Sequence, residues 1–235
     1  MDQERLRNFL PTTSLDFDLL HLGKIAQTLG EYNYLEVGVY RGGSLPPHLV
    51  NPDCKLIMGV DLFPDLCMDE RHTGINYRPS SFELVVERTT AAGGDASKLK
   101  SFVGDIQDLP VEERYDMCFI DAEHTNAAAF RDAYNALKHM KPNHVMAFHD
   151  TTIVYGAIDC WTEYLKLQGI SFHRFKMRHS EVTAFVCGDL PETLKYCFEN
   201  QFDYDTFKMV AKVRLGNSIK ENCPNYTEYM RYAHT

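Results

Sequence analysis

Four short apolar runs in this sequence stop on an aspartate. "KLIMGVDLF" (55–63) carries Asp61 near its exit, "LKSFVGD" (99–105) ends on Asp105, "YDMCFIDA" (115–122) on Asp121 and "HVMAFHD" (144–150) on Asp150. Short apolar runs without polar alternation predict strands buried on both faces. Helical periodicity fills the gaps between them, so the alternation predicts an α/β fold. Its sheet should be doubly wound and mostly parallel, with helices on both faces. Ligands of such sheets bind outside the carboxyl ends of the strands. The four aspartates should therefore converge on one rim.

The remaining elements fit the same plan. "NYLEVGV" (33–39) reads as the first strand, preceded by a helix over 16–32 in which Phe17, Leu20, Ile25 and Leu29 recur at helical spacing. A second helix over 81–94 starts at a Ser81 cap and stops at Gly93-Gly94. An Ala-rich helix over 125–141 is closed by Lys141-Pro142, and another spans 157–169 with Trp161 on its core side. "SFHRFKMR" (171–178) and "EVTAFVCG" (181–188) read as a closing antiparallel hairpin. This gives a helical extension over 1–32, a central domain over 33–188 and an appendage over 189–235. Residues 64–80 form a loop over the rim. The aromatic segment 196–207 offers surface to bury against a second copy of the chain. His139 and His144 flank a turn and read as surface residues.

Composition narrows the function. The 235 residues are 44% hydrophobic and 24% charged, ordinary for a globular chain, and the net charge of -9 repels phosphate backbones. Nucleic acid is thus not an expected partner. No stretch approaches 18 apolar residues and the N-terminus lacks an apolar signal region, so no membrane role and a cytoplasmic location are expected. The seven scattered cysteines form no CxxC pair and read as reduced thiols. The sequon at Asn225-Tyr226-Thr227 reads as a chance match.

The first strand runs into "LEVGVYRGGSL", where Gly38, Gly42 and Gly43 permit close backbone approach before Ser44. The spacing G-x-x-x-G-G is not the dinucleotide fingerprint, and no Gly-Lys-Ser/Thr follows. A nicotinamide dehydrogenase and a P-loop enzyme are disfavoured. Two strand ends, "FIDAEH" and "AFHD", bring histidines beside aspartates. Paired carboxylates suit a hard divalent cation such as Mg²⁺, and histidine titrates near neutral pH.

In order and spacing, "YLEVGVYRGGS", "GVDLF", "FVGD", "YDMCFIDAEH" and "VMAFHDT" resemble the motifs of class I S-adenosylmethionine (SAM) dependent methyltransferases with a Rossmann-like fold. "FIDAEH…AFHD" is most similar to the branch that methylates hydroxyls of sugars and other small molecules. "AEH" stands where that branch more often has Gly-Asp-His, and "KPNHVMAFHD" lacks its glycine pair. The resemblance implies that Glu36, Gly38, Gly42 and Ser44 hold the methionine part of SAM. It implies Asp61 for the ribose, Asp105 and the Ile106 amide for adenine, and Asp121 at the junction with the metal. Asp121, Asp150 and His149 or Thr151 would hold Mg²⁺. His124 would be the general base, with Glu123 in reserve. The readings left open are a metal-free site in which the two aspartates contact substrate, an oxidative enzyme of related fold, and a non-catalytic binding module.

Overall fold

The computed structural model describes residues 14–64, 66–71, 73–76 and 79–222. The sequon at Asn225 and the last cysteine, Cys223, lie outside them. Helix α1 (Asp16–Gln27) leads into β1 (Tyr32–Val37), a short α2 (Pro46–Leu49) and β2 (Cys54–Asp61). A small hairpin, β3 (Leu66–Met68) and β4 (Gly74–Asn76), interrupts the alternation. Then follow α3 (Phe82–Ala91), β5 (Leu99–Val103), β6 (Tyr115–Ile120), α4 (Asn126–Leu137), β7 (Met140–Phe148) and α5 (Tyr155–Leu167). The chain closes with β8 (Phe172–Met177), β9 (Thr183–Cys187), α6 (Pro191–Glu199), β10 (Gln201–Phe202) and α7 (Tyr204–Asn222).

Eight strands form one sheet in the order β10-β8-β9-β7-β6-β1-β2-β5. The five from β7 to β5 are parallel, and β8, β9 and β10 pair antiparallel at one edge. The expected Rossmann-like architecture with its closing hairpin is therefore present. From β1 the chain winds outward to β2 and β5, then returns to place β6 on the other side of β1. That reversal opens a crevice at the carboxyl ends of β1 and β6.

Burial explains the local choices. β1 and β6 are almost wholly buried, as continuous apolar runs require. In α1, Asp18, Leu19, Leu22, Ile25 and Ala26 face inward at helical spacing. Ser81 caps α3 by accepting from the Leu84 amide, and Thr125 caps α4 by accepting from Ala128. Trp161 is fully buried, as its place on α5 predicts.

Three expectations are corrected. The Ala-rich helix ends at Leu137, and Lys141 and Pro142 belong to β7. The register explains it: Tyr115 pairs with Met140 and Met117 with Val145, so the extra residues bulge out and Pro142 needs no ladder partner. His139 and His144 are buried, not on the surface. Residues 191–222, for which the sequence shows no period, form helix, strand and helix. The Arg174 guanidinium lies 3.5 Å from the centre of the Tyr204 ring, and the Lys176 ammonium 4.7 Å from that of Phe207. Tyr204 and Phe207 are buried in the chain's own core, while Phe198 and Phe202 stay exposed.

Candidate active site

The crevice begins at Gly38, which has φ +91° and lies against the exit of β6. A Cβ there would meet the Asp121 carbonyl and come within 2.5 Å of the Ala122 Cα and amide nitrogen. The glycine lets two neighbouring strand ends approach, and it lines the resulting cavity.

That cavity measures about 360 Å³, a size usual for small-molecule sites. Gly38, Asp61, Asp105, Ile106, Asp121 and Glu123 all line it, so six of the residues singled out in the sequence meet around one space. Asp61 Oδ2 accepts from the amides of Val39 (2.7 Å) and Tyr40 (2.6 Å), and its Oδ1 from Phe63 (2.5 Å). The carboxylate thereby fixes the turn after β1 to the end of β2. Asp105 Oδ1 accepts from Gln107, and its other oxygen lies 3.7 Å from the Arg131 guanidinium.

Glu36, Gly42 and Ser44 do not reach this space. Glu36 is buried between the Tyr34 hydroxyl (2.7 Å) and the Ser44 hydroxyl, both donating to it. Burial, with Asp121 and Asp61 nearby, pushes its carboxyl up to about 8 against the pull of those two hydrogen bonds. Its contact with Ser44 supports the glycine turn from beneath. Gly42 serves the turn through its φ of +77°.

Beside the cavity lies a cluster of carboxylates and imidazoles. His124 Nε2 is 3.1 Å from Asp150 Oδ2 and 3.7 Å from Asp121 Oδ1. His149 Nδ1 is 3.0 Å from Asp121 Oδ1 and 3.4 Å from Asp150 Oδ2, while its Nε2 is 3.0 Å from Asp18 Oδ2. Burial opposes charge on both rings. Asp121 and Asp150 nevertheless hold the His124 pKa above its ordinary value, and with Asp18 they hold that of His149 well above it. Asp150 is itself pulled down to about 2: burial would raise it, but His149 and His124 prevail.

Ligand atoms of Asp121, His124 and Asp150 lie within 4.8 Å of one another. Two carboxylates and an imidazole so spaced fit a divalent cation. Thr151 Oγ1 instead donates to the Glu181 carbonyl at 2.9 Å. Glu123 accepts from the Thr125 hydroxyl at 2.8 Å, beside the helix cap.

Several residues at the site carried no signal in the sequence. Segment 64–80, read as a loop, contains the β3–β4 hairpin, and Asp69 pairs with His124 in an isolated bridge. The Glu70 amide donates to the His124 carbonyl (3.1 Å), and the Glu70 carboxylate accepts from the Asn126 amide (2.5 Å). Arg131 and Asp132 also line the cavity, and burial pushes Asp132 up to about 6 despite its Arg131 partner. Tyr40, Phe63 and Asp150 adopt φ of 47–48°, an uncommon backbone state for non-glycine residues. All three border the crevice or the cluster.

A family model described as a methyltransferase domain matches residues 35–151. That span contains the glycine turn and all four strand-end aspartates. Among solved structures, the chain is similar to the O-methyltransferase TomG from Streptomyces achromogenes, involved in tomaymycin synthesis and solved with SAM. Identity is 17%, 80% of this chain and 92% of that one are covered, and the TM-score is 0.55. It is also similar to an O-methyltransferase from Bacillus cereus solved with SAH, at 14% identity, 79% and 92% coverage and TM-score 0.55. For the O-methyltransferase NovP the values are 14%, 78% and 79%, and 0.54. A search of curated proteins returns no match. The fold, the cavity and the matched domain define a class I SAM-dependent methyltransferase. Residues 35–151, about half of the chain, carry the methyltransferase domain that this family model describes. Among the described residues, no helix is long and apolar enough to cross a membrane.

Proposed function

We propose that this protein transfers the methyl group of SAM to a hydroxyl of a small molecule, such as a sugar, glycoside or other natural product, with help from a divalent cation, Mg²⁺ in the first instance. The observation that carries this reading is the double role of Asp121. It lines the cavity and also belongs to the carboxylate–imidazole cluster, so a donor in the first lies next to an acceptor oxygen at the second. The similar structures solved with SAM and with SAH support the choice of donor.

In this reading the catalytic domain is 33–188, and each group has a role its position suits. Asp61 and Asp105 accept from the ribose and the adenine amino group, since carboxylates offer only acceptors. The Ile106 amide faces the ring, and the turn at Gly38 borders the methionine part. Asp121 and Asp150 hold the cation with His149, whose Nδ1 is 3.0 and 3.4 Å from their carboxylates, in place of His124; His124 is then left to take the hydroxyl proton, with Glu123, which lines the cavity, in reserve. A bound cation supplies a lower pKa for the acceptor hydroxyl. Holding donor and acceptor in line contributes up to about 7–11 kcal/mol of barrier reduction in favourable cases.

Calorimetry with SAM and SAH tests the donor, and failure of folded protein to bind either ends the proposal. A gain of fourteen daltons on a hydroxylated acceptor tests the transfer. Equal turnover in EDTA and in Mg²⁺ removes the cation while leaving the methyl transfer standing.

A further inference from the structure

Asp18 sits on α1, before the first strand and outside the matched methyltransferase domain. It is a fully buried carboxylate with four donors around it. Oδ1 accepts from the Ser180 hydroxyl (2.7 Å) and the Glu181 amide (2.8 Å). Oδ2 accepts from the Leu15 amide (2.7 Å) and from His149 Nε2 (3.0 Å). A carboxylate only accepts, so the His149 proton on this side resides on Nε2. The opposite nitrogen, Nδ1, is buried and makes no hydrogen bond, although Asp121 Oδ1 is 3.0 Å away and Asp150 Oδ2 3.4 Å. It is aimed between the two carboxylates and left without a properly oriented partner.

We infer that Asp18 is a positioning residue: by taking the Nε2 proton of His149 it fixes the ring so that Nδ1 is presented as a ligand to a divalent cation held with Asp121 and Asp150. A carboxylate behind a ligating imidazole sets its tautomer and orientation and strengthens it as a donor. The helix ahead of the methyltransferase core thus completes the metal centre from behind. This inference rests on the divalent-cation reading proposed above.

Mn²⁺, followed by the electron paramagnetic resonance signal of the free ion, is the probe, with the full chain as the sample. Asp18→Asn weakens Mn²⁺ binding about 10–100-fold. Ser180→Ala removes a neighbouring hydrogen bond to the same carboxylate, and it lowers the melting temperature while holding Mn²⁺ affinity within about twofold of the wild type. An Asp18→Asn protein that binds Mn²⁺ as tightly as the wild type overturns the inference, as does an equal loss in Ser180→Ala. A wild type that binds no Mn²⁺ overturns it together with the cation reading, whereas SAM binding by that same protein keeps the methyltransferase reading apart. Long-range ¹H–¹⁵N spectra of Mg²⁺-loaded wild type test the point without any variant: a proton on Nε2 of His149 supports the inference, and one on Nδ1 overturns it.

Discussion

The absent side chain of Gly38 and the backbone of Ala122 compete for the same space. A Cβ at Gly38 would lie 2.5 Å from the Ala122 Cα, in a residue whose φ is +91°. Backbone cannot retreat as a flexible side chain can, so the two strand ends would have to separate. Gly38→Ala should destabilise the protein by about 2–5 kcal/mol, combining overpacking with an unfavourable φ. Chemical denaturation checks it, and a loss under about 1 kcal/mol would show that the crevice tolerates spreading.

Glu36 gives a pH signature. Its carboxyl is raised from 4.5 to about 8 by burial, so the folded state holds its proton more tightly than the unfolded chain. The associated stability is complete below about pH 4.5 and drains away as pH rises toward 8. Glu36→Gln should flatten the fall in melting temperature across that window. An unchanged slope would mean that Glu36 is ionised at neutral pH in the folded protein.

The imidazoles add a second, separable pH effect in metal-free protein. His124 and His149 are raised by Asp121 and Asp150, so their stabilisation is full below pH 6.5 and is lost as pH climbs through their folded values. Asp150, depressed to about 2, contributes above its ordinary value near 3.8 and loses that contribution as pH falls toward 2. With EDTA present, the cluster should therefore stabilise most between about pH 4 and 6.5. His149→Gln should remove the larger share of the cluster's pH dependence above 6.5 while leaving that of Glu36, as read by thermal melts; a parallel curve would contradict the ion pairing.

The hairpin over the site should matter through Glu70. Its carboxylate satisfies the Asn126 amide at the free N-terminal end of α4, next to His124. Glu70→Ala should cost about 0.5–2 kcal/mol, the range for a lost helix cap. It should also raise KM for the acceptor more than it lowers kcat if the hairpin, bridged to His124 through Asp69, borders the proposed acceptor site. Steady-state kinetics at saturating SAM would show this, and a KM unchanged within twofold would detach the hairpin from acceptor binding.

Most of the strands around the crevice were legible as short apolar runs that stop on an acid, whereas β5 carries Lys100 and Ser101 and lies largely exposed at the sheet edge. Asp61, Asp105 and Asp121 could be found from that pattern alone. Pro142 misled, because a proline after an Ala-rich helix reads as a stop, and only pairing with β6 reveals the bulge that admits it to a strand. Glu36 kept its place but not its expected surroundings: Tyr34 and Ser44 claim its carboxylate, a contact that depends on how the turn folds back. Asp18 was invisible for a similar reason. An acid in the first turn of an amphipathic helix is the commonest thing there, and its partner His149 is 131 residues away.

Tyr40, Phe63 and Asp150 hold left-handed backbone in a region where side chains normally avoid it. Each such residue is disfavoured by roughly 1–2 kcal/mol, so the surrounding structure has to hold the rim in that shape. Glycine would relax the backbone at these positions, but at Phe63 it would remove the ring packed against Phe82 and at Asp150 the partner of His124 and His149. The same exchange would leave a blunter catalyst, because the rim would then have to be put in order at every turnover.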